Sequence, residues 1–159
     1  MHESLEKMID RARQRHFSDE ELTLVSRSAS RMEHGCDVVE KIRTSERELL
    51  TRSVSKALQK FPNVEAENPA ARDLITAVLT MGLRQAALAM ALDDSAKYSK
   101  ILVGLQRPIW DAQFEPEFVQ NAVENLRDES MATLGKALGR QFDQVLKPMA
   151  RFLTINAYL

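Results

Sequence analysis

The chain has 159 residues, 44% of them hydrophobic and 28% charged, and carries a formal net charge of −1 at pH 7. That length fits one domain with a real hydrophobic core, and the near-neutral balance gives no electrostatic case for nucleic acid or an anionic membrane. A single cysteine excludes an intrachain disulfide and points to a reducing cytoplasm.

In chain order, residues 3–15 predict a short amphipathic helix with Leu5, Met8, Ile9 and Ala12 on one face, and MHESLEKMID lacks the apolar core expected of a signal peptide. The basic run Arg11, Arg13, Arg15 reads as a solvated helix face. Ser18-Asp-Glu-Glu21 has the form of a capping box, starting a helix expected to reach about Met32 and stop near Gly35. Asp37 then caps a third helix, which runs to about Lys60 and ends before Pro62. Asn68-Pro69 is a cap plus first-turn proline for a long central helix.

Within that helix, Leu74 to Leu92 has the length of a membrane span, but Arg84 and Gln85 sit at its centre. A charge there costs about 2.5–3.5 kcal/mol on insertion. The stretch therefore reads as a core helix buried on most sides, in which Arg84 must reach a carboxylate, a ligand or a subunit interface. Asp93-Asp94-Ser95 breaks it, and a short helix follows over about 96–104. Gln106 to Asp111, with Pro108 and Trp110, is a turn or one short helix; Pro116 starts a long helix to about 134. Gly135 and Gly139 loosen the chain before a last helix that Pro148 should kink. Seven or eight helices of unequal length and no strand pattern predict an all-α fold, and short helices beside long ones suit a globin-like sandwich.

His2, His16, His34 and Cys36 are the chain's only imidazoles and thiol, and all fall in its first quarter. A zinc site wants such ligands at a metal-binding spacing, and a triad wants histidine beside a nucleophile. Nor can paired carboxylates or metal spacing be argued, so the expectation is a binding protein and not an enzyme.

Four segments carry a resemblance. They are KMIDRARQRHFSDEEL (7–22), DVVEKIRTSERELLTRSVSKALQKFPNV (37–64), LRQAALAMALDD (83–94) and ILVGLQRPIWDAQFEPEFVQNAVENL (101–126). In this order they resemble the phycobiliprotein family, globin-fold proteins with extra amino-terminal helices. The resemblance implies an all-α, globin-like helical sandwich with an extra N-terminal helix. Residues 1–159 would be one domain, 1–16 a dimerisation helix and 17–159 the globin core. Members usually attach a linear tetrapyrrole to a cysteine on the central helix. Anchoring the alignment on Leu83-Arg84 puts that position on Ile75; matching Arg72-Asp73 to the family's Arg-Asp pair puts it on Ala70. The ungapped first register is preferred, and neither supplies a thiol. SAKYSKILVG contains no histidine for a proximal haem ligand, so haem is not expected.

Among cysteine-free relatives, the chain resembles the bilin biosynthesis-associated globins of bacteria. The implied ligand is biliverdin or phycocyanobilin held without a covalent bond. Such a pigment needs cations for two propionates, an acceptor for its N–H groups and stiff apolar walls. Arg72, Asp73, Thr76 and Thr80 on the central helix, with Arg107 and Trp110 in the following turn, are the candidate bilin-binding set. Arg72 and Asp73 read equally well as a first-turn pair, and Trp110 as a buried anchor. The resemblance also implies a homodimer, with Met8, Ile9, Asp10, Arg11, Leu83, Arg84 and Leu88 at its interface, and bilin-synthesis proteins as further partners. A ligand-free dimeric interaction or regulatory module is the alternative.

Overall fold

The computed structural model describes residues 18–92 and 94–154, of which 95–97 are described in their backbone only. The helix expected at 3–15, His16, and the interface candidates Met8, Ile9, Asp10 and Arg11 lie outside the described residues.

The capping box forms as its spacing demands. Ser18 N–H donates to Glu21 Oε2 at 2.9 Å, and Glu21 N–H donates to Ser18 Oγ at 3.3 Å. Helix α1 then runs Asp19–Lys60 without interruption, so neither the expected stop at Gly35 nor the cap at Asp37 exists. Gly35 is buried inside the helix, and a Cβ there would lie 2.3 Å from the Cα of Ala91. The glycine serves a close helix crossing, not a helix end. From Asp19 to His34 no residue of α1 is buried, and Leu22, Leu24 and Met32 are exposed. This half is an arm about 24 Å long, at about 1.5 Å per residue.

Phe61, before Pro62, ends α1 with its N–H on the Ala57 carbonyl at 2.9 Å. A single-turn helix α2 (Asn63–Glu67) follows, which the sequence reading did not anticipate. Asn68 Oδ1 accepts from Ala70 N–H at 3.1 Å, and the central helix α3 spans Ala71–Leu92, starting two residues after Pro69. Next come α4 (Ser95–Gly104), α5 (Gln106–Asp111), α6 (Pro116–Leu134) and α7 (Lys136–Thr154). Gly135, at φ 78°, ends α6 in a conformation that favours glycine. α7 continues through Pro148.

Among the described residues there is no strand, as the all-α expectation requires. α1 packs on α3 and α6, α6 on α7, and α3 also on α4 and α7. Phe118 is fully buried between Phe61 and Phe114, both edge-on, at centroid distances of 5.9 and 5.2 Å. Pairs of this kind add about 0.5–1.5 kcal/mol beyond burial. Arg127 of α6 clamps Asp143 of α7 with two bonds, at 2.7 and 3.0 Å.

The expectation that α3 is buried on most sides needs correction. Ile75, Val78, Leu79, Gly82, Leu83 and Ala86 are buried, but Met81, Leu88 and Leu92 are exposed. Positions seven and four apart share one helix face, so these three form a single apolar stripe on the surface.

Candidate functional site

α3 has one flank toward α1 and another toward α4. Arg72, Thr76, Thr80 and Arg84 recur every fourth residue and form one stripe down the helix. Both ends of the stripe face α1. Arg72 donates to Ser55 of α1 at 3.3 Å and to Glu65 at 2.8 Å, while Arg84 donates to Glu46 of α1 at 2.7 and 2.6 Å. The Thr80 hydroxyl donates to the Thr76 carbonyl at 2.6 Å, and Asp73 is exposed. Arg107 and Trp110 stand instead on α5, where Arg107 lies 3.6 Å from Asp111 and is 86% exposed. The six residues read from the sequence as a bilin set are thus not drawn into one cleft.

Three further placements correct the reading. Trp110 is 39% exposed, and its neighbour Ile109 is the buried anchor of the short helix. Leu83 is fully buried in the core and presents nothing to a second subunit. The position just before the outward Arg84 is turned by about 100°, which carries Leu83 inside. Ile75 and Val78 are also core residues, so the place where the preferred register would put a chromophore-bearing cysteine is filled by packed side chains.

Arg84 finds its required carboxylate within the chain. Glu46, across 38 positions in sequence, takes the guanidinium in a fork that raises the arginine's already high pKa, chiefly through the hydrogen bond. This pair rims a groove of about 400 Å³ between α1 and α3, whose apolar surface comes from Val39, Ile42, Ala87 and Leu88. Arg43 stands on the same rim and pairs with Glu40 at 2.9 Å. An apolar floor with a charged rim is the form that receives an amphipathic helix.

On the other flank, α3 and α4 enclose a smaller pocket of about 60 Å³, lined by Gln85, Leu88, Ala89, Leu92, Asp94, Tyr98 and Ile101. Leu88 lines both depressions and forms the wall between them. Tyr98 is 2% exposed, and its hydroxyl has no hydrogen-bond partner among the described residues. Burial pushes that hydroxyl further above its ordinary pKa, which keeps it a donor. Sequence reading missed Val39, Ile42 and Glu46, because the α1 face that meets α3 shows only in the fold. It missed Tyr98 because nothing in SAKYSKILVG separates a buried hydroxyl from an exposed one.

A family model described as phycobilisome protein matches residues 7–153. No curated protein matches the chain.

Proposed function

This chain belongs to the phycobilisome protein family, and on that premise we propose that it binds a linear tetrapyrrole without a covalent bond, as a carrier or sensor and not a catalyst. The observation that carries the reading is a family match over nearly the whole chain joined to a central helix, Ala71–Leu92, that contains no cysteine. The match also stands behind the globin-like arrangement of the helical sandwich. Surface suited to such a pigment exists on the outer side of α3 and on α5. Met81, Leu92 and Trp110 are exposed, and among the described residues Arg107 is held only by a long, solvent-facing contact. When bound, the pigment would supply visible absorption; the chain's part is to orient it and shield it from water. Biliverdin and phycocyanobilin are the candidate ligands, and bilin-synthesis proteins the candidate donors or acceptors in a reducing cytoplasm.

Absorbance titration with each pigment, followed by acid denaturation, tests this. The expected result is a saturable, red-shifted and sharpened band, with the pigment separating from the protein in acid. A folded protein that changes neither spectrum would overturn the reading. It would favour the second one, a ligand-free interaction module, which draws support from Ile75 and Val78 filling the core side of α3.

For the partner, we propose a second copy whose amino-terminal segment occupies the groove between α1 and α3. The groove begins at Val39, 21 residues beyond Ser18 and about 32 Å along α1. Residues 3–15 as a helix would span only about 20 Å. Were it helical and folded back along its own α1, the segment would fall short of the groove, whereas the same segment of a twofold-related copy would have no such limit.

A further inference from the structure

Helices α6 and α7 pack side by side, and their charges divide by sign. α6 contains one base, Arg127, and α7 one acid, Asp143, and these two are bonded to each other. What remains on α7 is basic. Lys136, Arg140, Lys147 and Arg151 are all exposed, recur four, seven and four positions apart, and so share one face. On α6, Glu117, Glu124 and Asp128 are exposed seven and four positions apart, again on one face. Glu129 is engaged by Lys56 and Arg52 of α1. Among the described residues, none of the charges on these two faces forms an ion pair; Glu124 accepts a hydrogen bond from Gln120 at 2.8 Å. Glu124 and Asp128 lie near Arg127 as well, but its N–H bonds go to Asp143.

A solvated surface usually intersperses the two signs. Here a chain with a net charge of −1 separates them into an acidic stripe and a basic one. Their spacings match. Glu117, Glu124 and Asp128 read forward have the same intervals, seven then four, as Lys147, Arg140 and Lys136 read backward. Each of these stretches covers about 17 Å of helix, at about 1.5 Å per residue. Two antiparallel helices carrying them therefore set three opposite charges in register. The same orientation places the positive end of each helix dipole beside the negative end of the other.

We propose that α6 of one copy docks antiparallel on α7 of another, pairing Glu117 with Lys147, Glu124 with Arg140 and Asp128 with Lys136. The occupant is a second copy because this chain itself supplies the complementary stripe at the matching intervals. The contact uses none of the groove residues and needs no pigment, so it goes beyond the function proposed above. Exposed ion pairs are individually weak and are screened by salt. The contact is accordingly of low affinity, forms at high protein concentration and low ionic strength, and joins whatever species the groove produces.

Sedimentation velocity of the full chain at high protein concentration tests this, in about 10 mM and about 1 M salt, where the Debye length falls from about 30 to about 3 Å. The wild type should be heavier in low salt than in high. Arg140→Glu with Lys147→Glu, and separately Glu117→Lys with Glu124→Lys, should each weaken the low-salt association about tenfold or more, because like charges then face each other. All four changes in one chain exchange the stripes, keep the net charge and should bring the association back. Arg27→Glu with Arg47→Glu, at exposed positions of α1, shifts the net charge as far as the first pair does and should leave the association standing. If that control loses it to the same extent, net charge alone is responsible and the stripe contact is overturned. A wild type with one mass in both salts would overturn it too, as would stripe variants that keep the low-salt mass or a four-change chain that fails to regain it.

Discussion

Glu129 of α6 accepts a hydrogen bond from Lys56 of α1 and lies 3.6 Å from Arg52, with only 12% of its side chain exposed. The Lys56 hydrogen bond, with help from the charges of Lys56 and Arg52, holds its carboxyl below the usual range, while partial burial opposes this. A folded-state pKa below the unfolded one means that the unfolded chain binds the proton more readily. The pair's contribution is therefore complete above the ordinary carboxylate range and fades as pH falls through the folded value. Urea midpoints at pH 6 and pH 3 should show a smaller acid loss for Glu129→Gln than for the wild type; equal losses would remove this pair from the acid response. Residue-level reading of the sequence reached the requirement and stopped at the partner. That Arg84 needs a carboxylate follows from a charge amid Leu and Ala. That the carboxylate is Glu46 depends on how α1 crosses α3, which no local pattern encodes.

The same crossing decides how the elements meet. Alanine favours an isolated helix over glycine by about 1 kcal/mol, so Gly35→Ala would stabilise α1 on propensity alone. Packing opposes it. The new Cβ would meet Ala91 Cα at 2.3 Å and Ala91 N at 2.7 Å, both backbone atoms that cannot turn away. Overpacking costs about 1–3 kcal/mol, so Gly35→Ala should be destabilising. Gly82 offers the control: its nearest neighbours are Met149 Cε at 2.3 Å and Sδ at 2.7 Å, the flexible end of a side chain. Gly82→Ala should lower the thermal midpoint less than Gly35→Ala; the reverse order would show that the α1–α3 contact is looser than its geometry. This pair explains which boundaries were legible. Ser18, Pro62 and Pro116 act through local backbone chemistry and marked helix ends where expected. Gly35 and Gly135 look alike in sequence, yet only Gly135 adopts a positive φ; Gly35 answers to a neighbour 56 positions away.

At the scale of the whole molecule, most of the large apolar side chains exposed among the described residues lie on α1 and α3, with Val103 and Trp110 elsewhere. The α1 arm carries Leu22, Leu24 and Met32 in the open, and α3 adds Met81, Leu88 and Leu92 beside a groove with an apolar floor. Exposed apolar side chains gathered on adjoining helices mark an interaction surface more often than isolated ones do. A second copy would cover the groove twice, once on each chain, if Met8 and Ile9 of one docked against Val39, Ile42 and Leu88 of the other. Burying a side chain of this size contributes about 1.5–3 kcal/mol, and twofold symmetry doubles the effect of each change. Met8→Asp with Ile9→Asp should therefore weaken the dimer by two orders of magnitude or more, as should Leu88→Asp from the opposite side. Light scattering behind size exclusion would show the mass of two chains falling to one, with helix content by circular dichroism preserved. A dimer that survives both variants would mean that this groove is not where the copies meet. Loss through Leu88→Asp alone would keep the groove as the interface and place a segment other than Met8 and Ile9 inside it.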